Sequence, residues 1–251
     1  MILHTERLIL RPWDVSDAQS LYEYAKDPEV GPVAGWPPHK NTEESLRVIQ
    51  NVLNSAECYA ICEKSNNIAI GAIELKLNGH TDMTDRDDEC ELGYWLGKPF
   101  WGRGYMPEAA KELIRYGFET LNMSAIWCGY YDGNYKSKRV QEKLGFVYHH
   151  TCNDVPVPLM NETRIGHTNL MTKEQWIEKW QGILNCSPSR GQRKNIKFSR
   201  PAAKCCWPLF MQQSTTCVFL SASVRPSYAG LFWCCNNGCS TQSFARVPVC
   251  W

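Results

Sequence analysis

Lys98-Pro99-Phe100-Trp101-Gly102-Arg103-Gly104-Tyr105-Met106-Pro107-Glu108-Ala109 decides how this chain reads. Gly102 and Gly104 permit positive φ and close backbone approach. Pro107 suits a first helical turn, where its missing N–H would have no partner anyway. The clearest helix of the chain starts here. Met106, Ala109, Ala110, Leu113, Ile114, Gly117, Phe118 and Leu121 keep one face apolar, while Glu108, Lys111, Glu112, Arg115 and Glu119 take the other. A run of free N–H groups at such a helix start binds phosphate, and Arg103 and Lys98 can add charge-assisted contacts. The same pattern also serves as a plain strand-to-helix connection. No GK[ST] is present for a P-loop, and Pro107 stands where a dinucleotide fingerprint needs its third glycine.

Upstream, Cys90 to Leu96 reads as a buried strand. Before it, Cys58–Glu63 and Ile68–Leu77 flank an Asn66-Asn67 turn. Arg7–Arg11 reads as a first strand. A helix from Asp14 to Asp27 comes next, then the loop Gly31–His39 with Trp36-Pro37-Pro38, then a helix opened by Asn41 with Glu44 as a capping box. Downstream, Ser124–Tyr131 is a strand and Asn134–Leu144 a helix stopped by Gly145. Phe146–His150 and Arg164–Met171 are strands, and Thr172–Gln175 caps a last helix. The order β-α-α-β-β-β-α-β-α-β-β predicts a mixed α/β fold around one sheet.

The formal net charge of +1 hides a split. All 26 acidic residues lie in 1–181 and none in 182–251, leaving the first part net negative and the second basic. Eight of the 13 cysteines also fall in 182–251. Their spacing matches no paired C-x-x-C zinc module, so no metal is expected. We expect a catalytic domain over 1–181 and a basic, Cys-rich tail over 182–251 without a stable fold. Contact of that tail with nucleic acid is not expected. No run of about 18 apolar residues exists, so no membrane span is expected. The opening MILHTERLILRPW lacks the features of a secretory signal, and a cytoplasmic protein is expected.

Four further pieces in order carry a resemblance: Glu91-Leu92-Gly93-Tyr94-Trp95-Leu96, the Trp101–Tyr105 loop, Glu108-Ala109, and Asn134-x-x-Ser137 with Glu142-Lys143-Leu144-Gly145-Phe146. Together they resemble the GNAT N-acetyltransferase superfamily. With Thr5-Glu6-Arg7-Leu8-x-Leu10-Arg11-Pro12, the chain looks most like its ribosomal-protein N-terminal (RimJ/RimL-like) branch. Pro99 stands where the broad superfamily pattern prefers Gln or Arg; that branch commonly has Pro there.

The resemblance covers about residues 1–180. It implies a mostly antiparallel central sheet with helices on both faces and a V-shaped splay between the strands at 90–96 and 124–131. It implies acetyl-CoA as co-substrate. The pyrophosphate would lie on the backbone of Gly102, Arg103, Gly104, Tyr105 and Met106. Backbone groups of Tyr94 and Leu96 would hold the pantetheine and polarise the thioester carbonyl. Asn134 and Ser137 would sit near the sulfur.

Acyl transfer to an amine needs the amine neutral, so a base is useful. Glu91 is the candidate; the alternative is an ordinary strand residue or ion-pair partner. A thiol of pKa about 8.5 leaves with little help, so a donor is optional. Ser137 is one candidate, and Tyr105, Tyr130, Tyr131 and Tyr135 are rivals. Asn134 and Ser137 equally suit a helix cap and first turn. Trp36 borders the expected acceptor cleft and can stack on a substrate or plug the loop. The expected acceptor is a primary amine, either a protein N-terminus or a small molecule, which would attack the thioester directly in a ternary complex; a monomer or homodimer is expected. The rival reading is a non-catalytic acyl-CoA-binding module whose basic tail contacts nucleic acid.

Overall fold

The computed structural model describes residues 1–181. The basic, Cys-rich tail expected over 182–251 lies outside the described residues. One eight-stranded sheet runs through the fold in the order β1-β2-β3-β4-β5-β6-β8-β7. Its strands are β1 (Leu3–His4), β2 (Leu8–Arg11), β3 (Cys58–Glu63), β4 (Ala69–Lys76), β5 (Glu89–Leu96), β6 (Ala125–Tyr131), β7 (Val147–Val157) and β8 (Glu162–Thr172). Every neighbouring pair is antiparallel except β5 and β6. The helices are α1 (Ala18–Ala25), α2 (Thr42–Asn51), α3 (Tyr105–Glu119), α4 (Tyr135–Leu144) and α5 (Lys173–Trp176), the last continued by a π-helical turn over Ile177–Gln181.

Two cores cover the two faces of the sheet. Alternate residues of a strand point to opposite sides. Ile73, Leu75, Cys90, Leu92 and Tyr94 therefore pack with Leu113, Ile114 and Phe118 of α3, whereas Ala72 and Trp95 pack with Leu21, Ala25 and Ile49 of α1 and α2. β5 is buried along nearly its whole length, because helices cover both of its sides.

Local chemistry sets the boundaries. Asp14 and Asp17 form a reciprocal capping box ahead of α1, and Arg11 clamps Asp17 at 2.7 and 2.8 Å. Asn41 accepts from Glu44 N–H at 2.8 Å, but the Glu44 carboxylate reaches back to Lys40 N–H rather than closing the box on Asn41. Thr172 and Gln175 close theirs in both directions. The Asn66-Asn67 turn is made by Asn67 at φ 58.

Two differences from the expected elements have physical reasons. β1 is two residues long, too short to leave a periodic pattern. β7 and β8 run well past 150 and begin before 164. Asn153, Asp154 and Pro156 are poor strand formers, but β7 is the sheet edge, where proline is tolerated. Register shifts between Tyr148 and His150 and between Cys152 and Val155 absorb the mismatch.

Candidate active site

The parallel pairing of β5 with β6 covers only Glu89–Ala125, Cys90–Ile126 and Glu91–Trp127. Beyond Glu91 the two strands part. Gly97 N–H donates to Ile70 O at 2.8 Å, which fixes the alternation of the β4–β5 ladder. Residues 91, 93 and 95 then bond to β4, and the backbone groups of Tyr94 and Leu96 face the gap. By the same logic Asp132 N–H donating to Ile165 O at 2.8 Å turns Gly129 and Tyr131 of β6 toward it. One of these groups is taken: the Trp101 indole donates to Leu96 O at 2.7 Å, leaving Leu96 its N–H. Lys136 Nζ lies 3.7 Å from the centre of the Trp101 ring.

The loop from Trp101 leads into α3 with Gly102 at φ 76 and Gly104, the N-terminal cap, at φ 79. Among the described residues none of the amides of Gly102, Arg103, Gly104, Tyr105 and Met106 donates to an acceptor within the protein. A Cβ at Gly102 would meet nothing within 4 Å, and one at Gly104 only Arg7 Nη2 at 3.6 Å, so the glycines face open space. Arg7 fixes the loop from behind. Its Nη1 donates to Arg103 O at 3.0 Å, its Nε to Glu108 at 2.7 Å, and Thr5 Oγ1 donates to the same carboxylate at 2.6 Å. Arg103 points its guanidinium over Phe100. Lys98, expected as a second phosphate contact, is instead paired with Glu29.

Glu91 is 2 % exposed and lies on the α1–α2 face, the side of its register partner Lys76. Lys76 Nζ donates to Glu91 Oε1 at 2.9 Å and Thr81 Oγ1 to Oε2 at 2.6 Å. Glu74 stands 4.0 Å from the same ammonium. Ser137 lies on the other face and is 6 % exposed. Its N–H is capped by Asn134 Oδ1 at 3.2 Å, and its Oγ is 3.0 Å from Tyr94 OH and 3.1 Å from Gln141 Nε2. Burial pushes the Tyr94 phenol well above its ordinary range. Asn134 also donates to Val33 O at 3.3 Å, tying α4 to the loop after α1.

The rival tyrosines are engaged elsewhere or turned out. Tyr105 donates to Glu63 at 2.8 Å, Tyr130 stacks on His167, Tyr131 carries the Arg164 guanidinium at 5.0 Å, and Tyr135 is 66 % exposed. Trp36 is 5 % exposed and packs edge-on against Trp95, so its ring fills the loop and offers no open face for stacking. On the same face Trp127 donates to Glu89 at 2.6 Å and meets the His149 ring. The acidic segment 82–89 adjoins them. Arg86 there holds the Asp88 carboxyl below its usual range, chiefly through a hydrogen bond. Cys90 and Cys128 are buried, and burial pushes the Cys90 thiol far up. Among the described residues no His, Cys, Asp or Glu group is arranged to hold a metal ion, and no helix is long and apolar enough to cross a membrane.

Sequence reading missed Lys76, Thr81, Gln141 and Asn169. Two of these had a signal. Ser137, Gln141 and Leu144 fall at i, i+4 and i+7, so Gln141 shares the inward face. Glu74 and Lys76 alternate with apolar residues on one side of a strand that the pattern already buries.

A mixed sheet whose two central strands part beside a row of unengaged amides at a helix start is the frame of an acyltransferase that takes its acyl group from coenzyme A. The chain belongs to the GNAT acetyltransferases: the family model described as "Acetyltransferase (GNAT) domain" matches residues 7–147. It is an N-acetyltransferase by family, and enzymes of this family use acetyl-CoA as co-substrate. It is 31% identical over 149 residues to the uncharacterized N-acetyltransferase p20 of Bacillus licheniformis, covering 57% of this chain and 81% of that one. It is 26% identical over 187 residues to the FsC-acetyl coenzyme A-N(2)-transacetylase of Aspergillus fumigatus, covering 70% and 77%. The fold is shared with a putative ribosomal-protein-serine acetyltransferase from Vibrio cholerae at a TM-score of 0.57 and 20% identity, over 68% of this chain and 97% of that one.

Proposed function

We propose that the chain moves an acetyl group from acetyl-CoA to a primary amine by direct attack within a ternary complex. The observation that carries this reading is the end of β5–β6 pairing at Glu91–Trp127, which turns backbone groups of Tyr94 and Leu96 into a gap flanked by a candidate base and a candidate donor. Acetyl-CoA supplies an acetyl thioester already activated toward a neutral amine. The amides of Gly102, Arg103, Gly104, Tyr105 and Met106 would hold its pyrophosphate, and open space at the two glycines fits that role. The Tyr94 and Leu96 N–H groups would hold the pantetheine and stabilise a developing oxyanion.

Glu91 would take the proton of the acceptor ammonium, through water, on the α1–α2 face. Ser137, capped by Asn134, would donate a hydrogen bond toward the sulfur on the α4 face. On this reading base and donor act from opposite faces of the sheet. Cys90, beside the gap, is a poor nucleophile for a covalent acetyl-enzyme, because burial pushes its thiol far up.

The acceptor approaches past Trp127, His149 and the acidic segment, which favours cationic amines. A protein acceptor is supported by the name of the Vibrio cholerae neighbour, a putative ribosomal-protein-serine acetyltransferase, and transfer to an N(2) amine by the name of the Aspergillus relative. Screening N-terminal peptides, polyamines and small primary amines for release of free CoA tests the proposal. No release with any acceptor, despite acetyl-CoA binding, would reject it in favour of a binding module.

All residues given a role lie before 181. A chain ending at Gln181 is therefore expected to bind acetyl-CoA and turn over like the full chain. A lower melting temperature by several degrees, or lost binding in a thermal-shift titration, would place the domain boundary elsewhere.

A further inference from the structure

Gln141 is fully buried on α4, and both ends of its amide are engaged. The Gly129 carbonyl can only accept, so the group 2.9 Å from it is the Gln141 nitrogen. This fixes the orientation of the amide without appeal to any group that could itself be turned over. The other end is then the oxygen, and Asn169 Nδ2 donates to it at 2.6 Å. The second N–H of Gln141 goes to Ser137 Oγ at 3.1 Å. The run Asn169 to Gln141 to Ser137 therefore has one polarity, and Ser137 Oγ is an acceptor toward Gln141.

That leaves the serine proton to be given elsewhere. Tyr94 OH lies 3.0 Å from Ser137 Oγ and 3.3 Å from Ser137 O. When Tyr94 donates to Oγ, both acceptor sites of the serine are filled and its proton turns to the gap. When Tyr94 donates to the carbonyl, the serine proton rests on the Tyr94 oxygen and rotates out when an anion arrives. The same chain of contacts joins Tyr94 of β5 to Gly129 of β6 across their splay. Gln141 also satisfies the Gly129 carbonyl, which has no partner on β5 at that level.

We infer that Gln141 is a positioning residue: it fills the acceptor side of Ser137 and so fixes that hydroxyl as a hydrogen-bond donor toward the departing thiolate. The C–S electron pair leaves on sulfur, and the serine proton is shared with it but not transferred. The inference rests on the donor role proposed for Ser137.

A double-mutant cycle tests it, with kcat and KM measured for Ser137→Ala, Gln141→Met and both together, well below each melting temperature. Each single change is expected to lower kcat about tenfold with KM for the amine unchanged. The double variant should be no slower than the slower single one, because Gln141 acts through the serine. Losses that multiply, or a Gln141→Met with full kcat beside an impaired Ser137→Ala, overturn the inference alone. Full kcat in Ser137→Ala overturns the donor role and the inference with it. Should Gln141→Met not fold, Gln141→Glu replaces it. The introduced carboxyl has one donor when neutral and none when ionised, so kcat should fall with rising pH relative to the parent. Parallel pH profiles would overturn the inference.

Discussion

Glu91→Gln should lower turnover about a hundredfold near neutral pH and far less at alkaline pH. A primary amine is mostly an ammonium at neutral pH and must lose a proton before it attacks. Once the pH supplies the neutral amine, a base adds little. Folding is affected too. The change weakens the hold on the buried Lys76 ammonium, whose partner at 2.9 Å becomes an uncharged amide. Removing one member of a buried pair costs about 3–5 kcal/mol. Glu74, 4.0 Å from the same ammonium, offsets part of that, so the variant should fold with a lowered midpoint in urea. The two effects separate cleanly, because a partly unfolded enzyme loses rate by one factor at every pH at which its folded fraction is the same. A constant loss across the profile, after correction for folded fraction, would make Glu91 a structural partner of Lys76 and Thr81. Steady-state kcat from pH 6 to 10 for parent and variant is the measurement.

The order of elements was legible because each relied on local chemistry that tertiary structure did not override. The α3 stripe, the Asn134 and Thr172 caps and the Gly145 stop all appear where their residues put them. The two strands of the β7–β8 hairpin were legible at 146–150 and 164–171, but the extension of β7 past 150 was not, since an edge strand exposed to water has no apolar alternation to read. The site divides the same way. The open amides from Gly102 to Met106 come from glycine and helix position, which sequence carries. The environment of Glu91 does not, because Lys76 and Thr81 meet it only through strand register and a loop return. Trp36 shows the same limit from the other side. Its place in a Pro-rich loop suits an exposed stacking ring as well as a plug, and only contact with Trp95 decides in favour of burial.

Gly104→Val should weaken acetyl-CoA binding about a hundredfold while leaving the domain folded. Gly104 caps α3 at φ 79, a conformation that costs an ordinary L residue roughly 1–2 kcal/mol and a β-branched one more. Steric collision is not the cause, because a Cβ there meets only Arg7 Nη2 at 3.6 Å. The loop is expected to relieve the strain by leaving positive φ, which reorients the amides of Gly102 to Met106. Hydrogen bonds to a charged group contribute about 1.5–3 kcal/mol each, so losing one or two accounts for the hundredfold. The helix itself should survive, since Glu108 in its first turn remains held by Thr5 Oγ1 at 2.6 Å and Arg7 Nε at 2.7 Å. At a concentration about 100 times its dissociation constant, acetyl-CoA should stabilise the parent by about 2.7 kcal/mol. The same concentration should add only about 0.4 kcal/mol to the variant. KM for acetyl-CoA should rise in step, while KM for the amine stays near its parent value, because the proposed acceptor route lies on the opposite face of the sheet. A Gly104→Val protein that keeps the full thermal shift would mean that the phosphates lie elsewhere, and the amides at the start of α3 would then be no more than a helix terminus open to water.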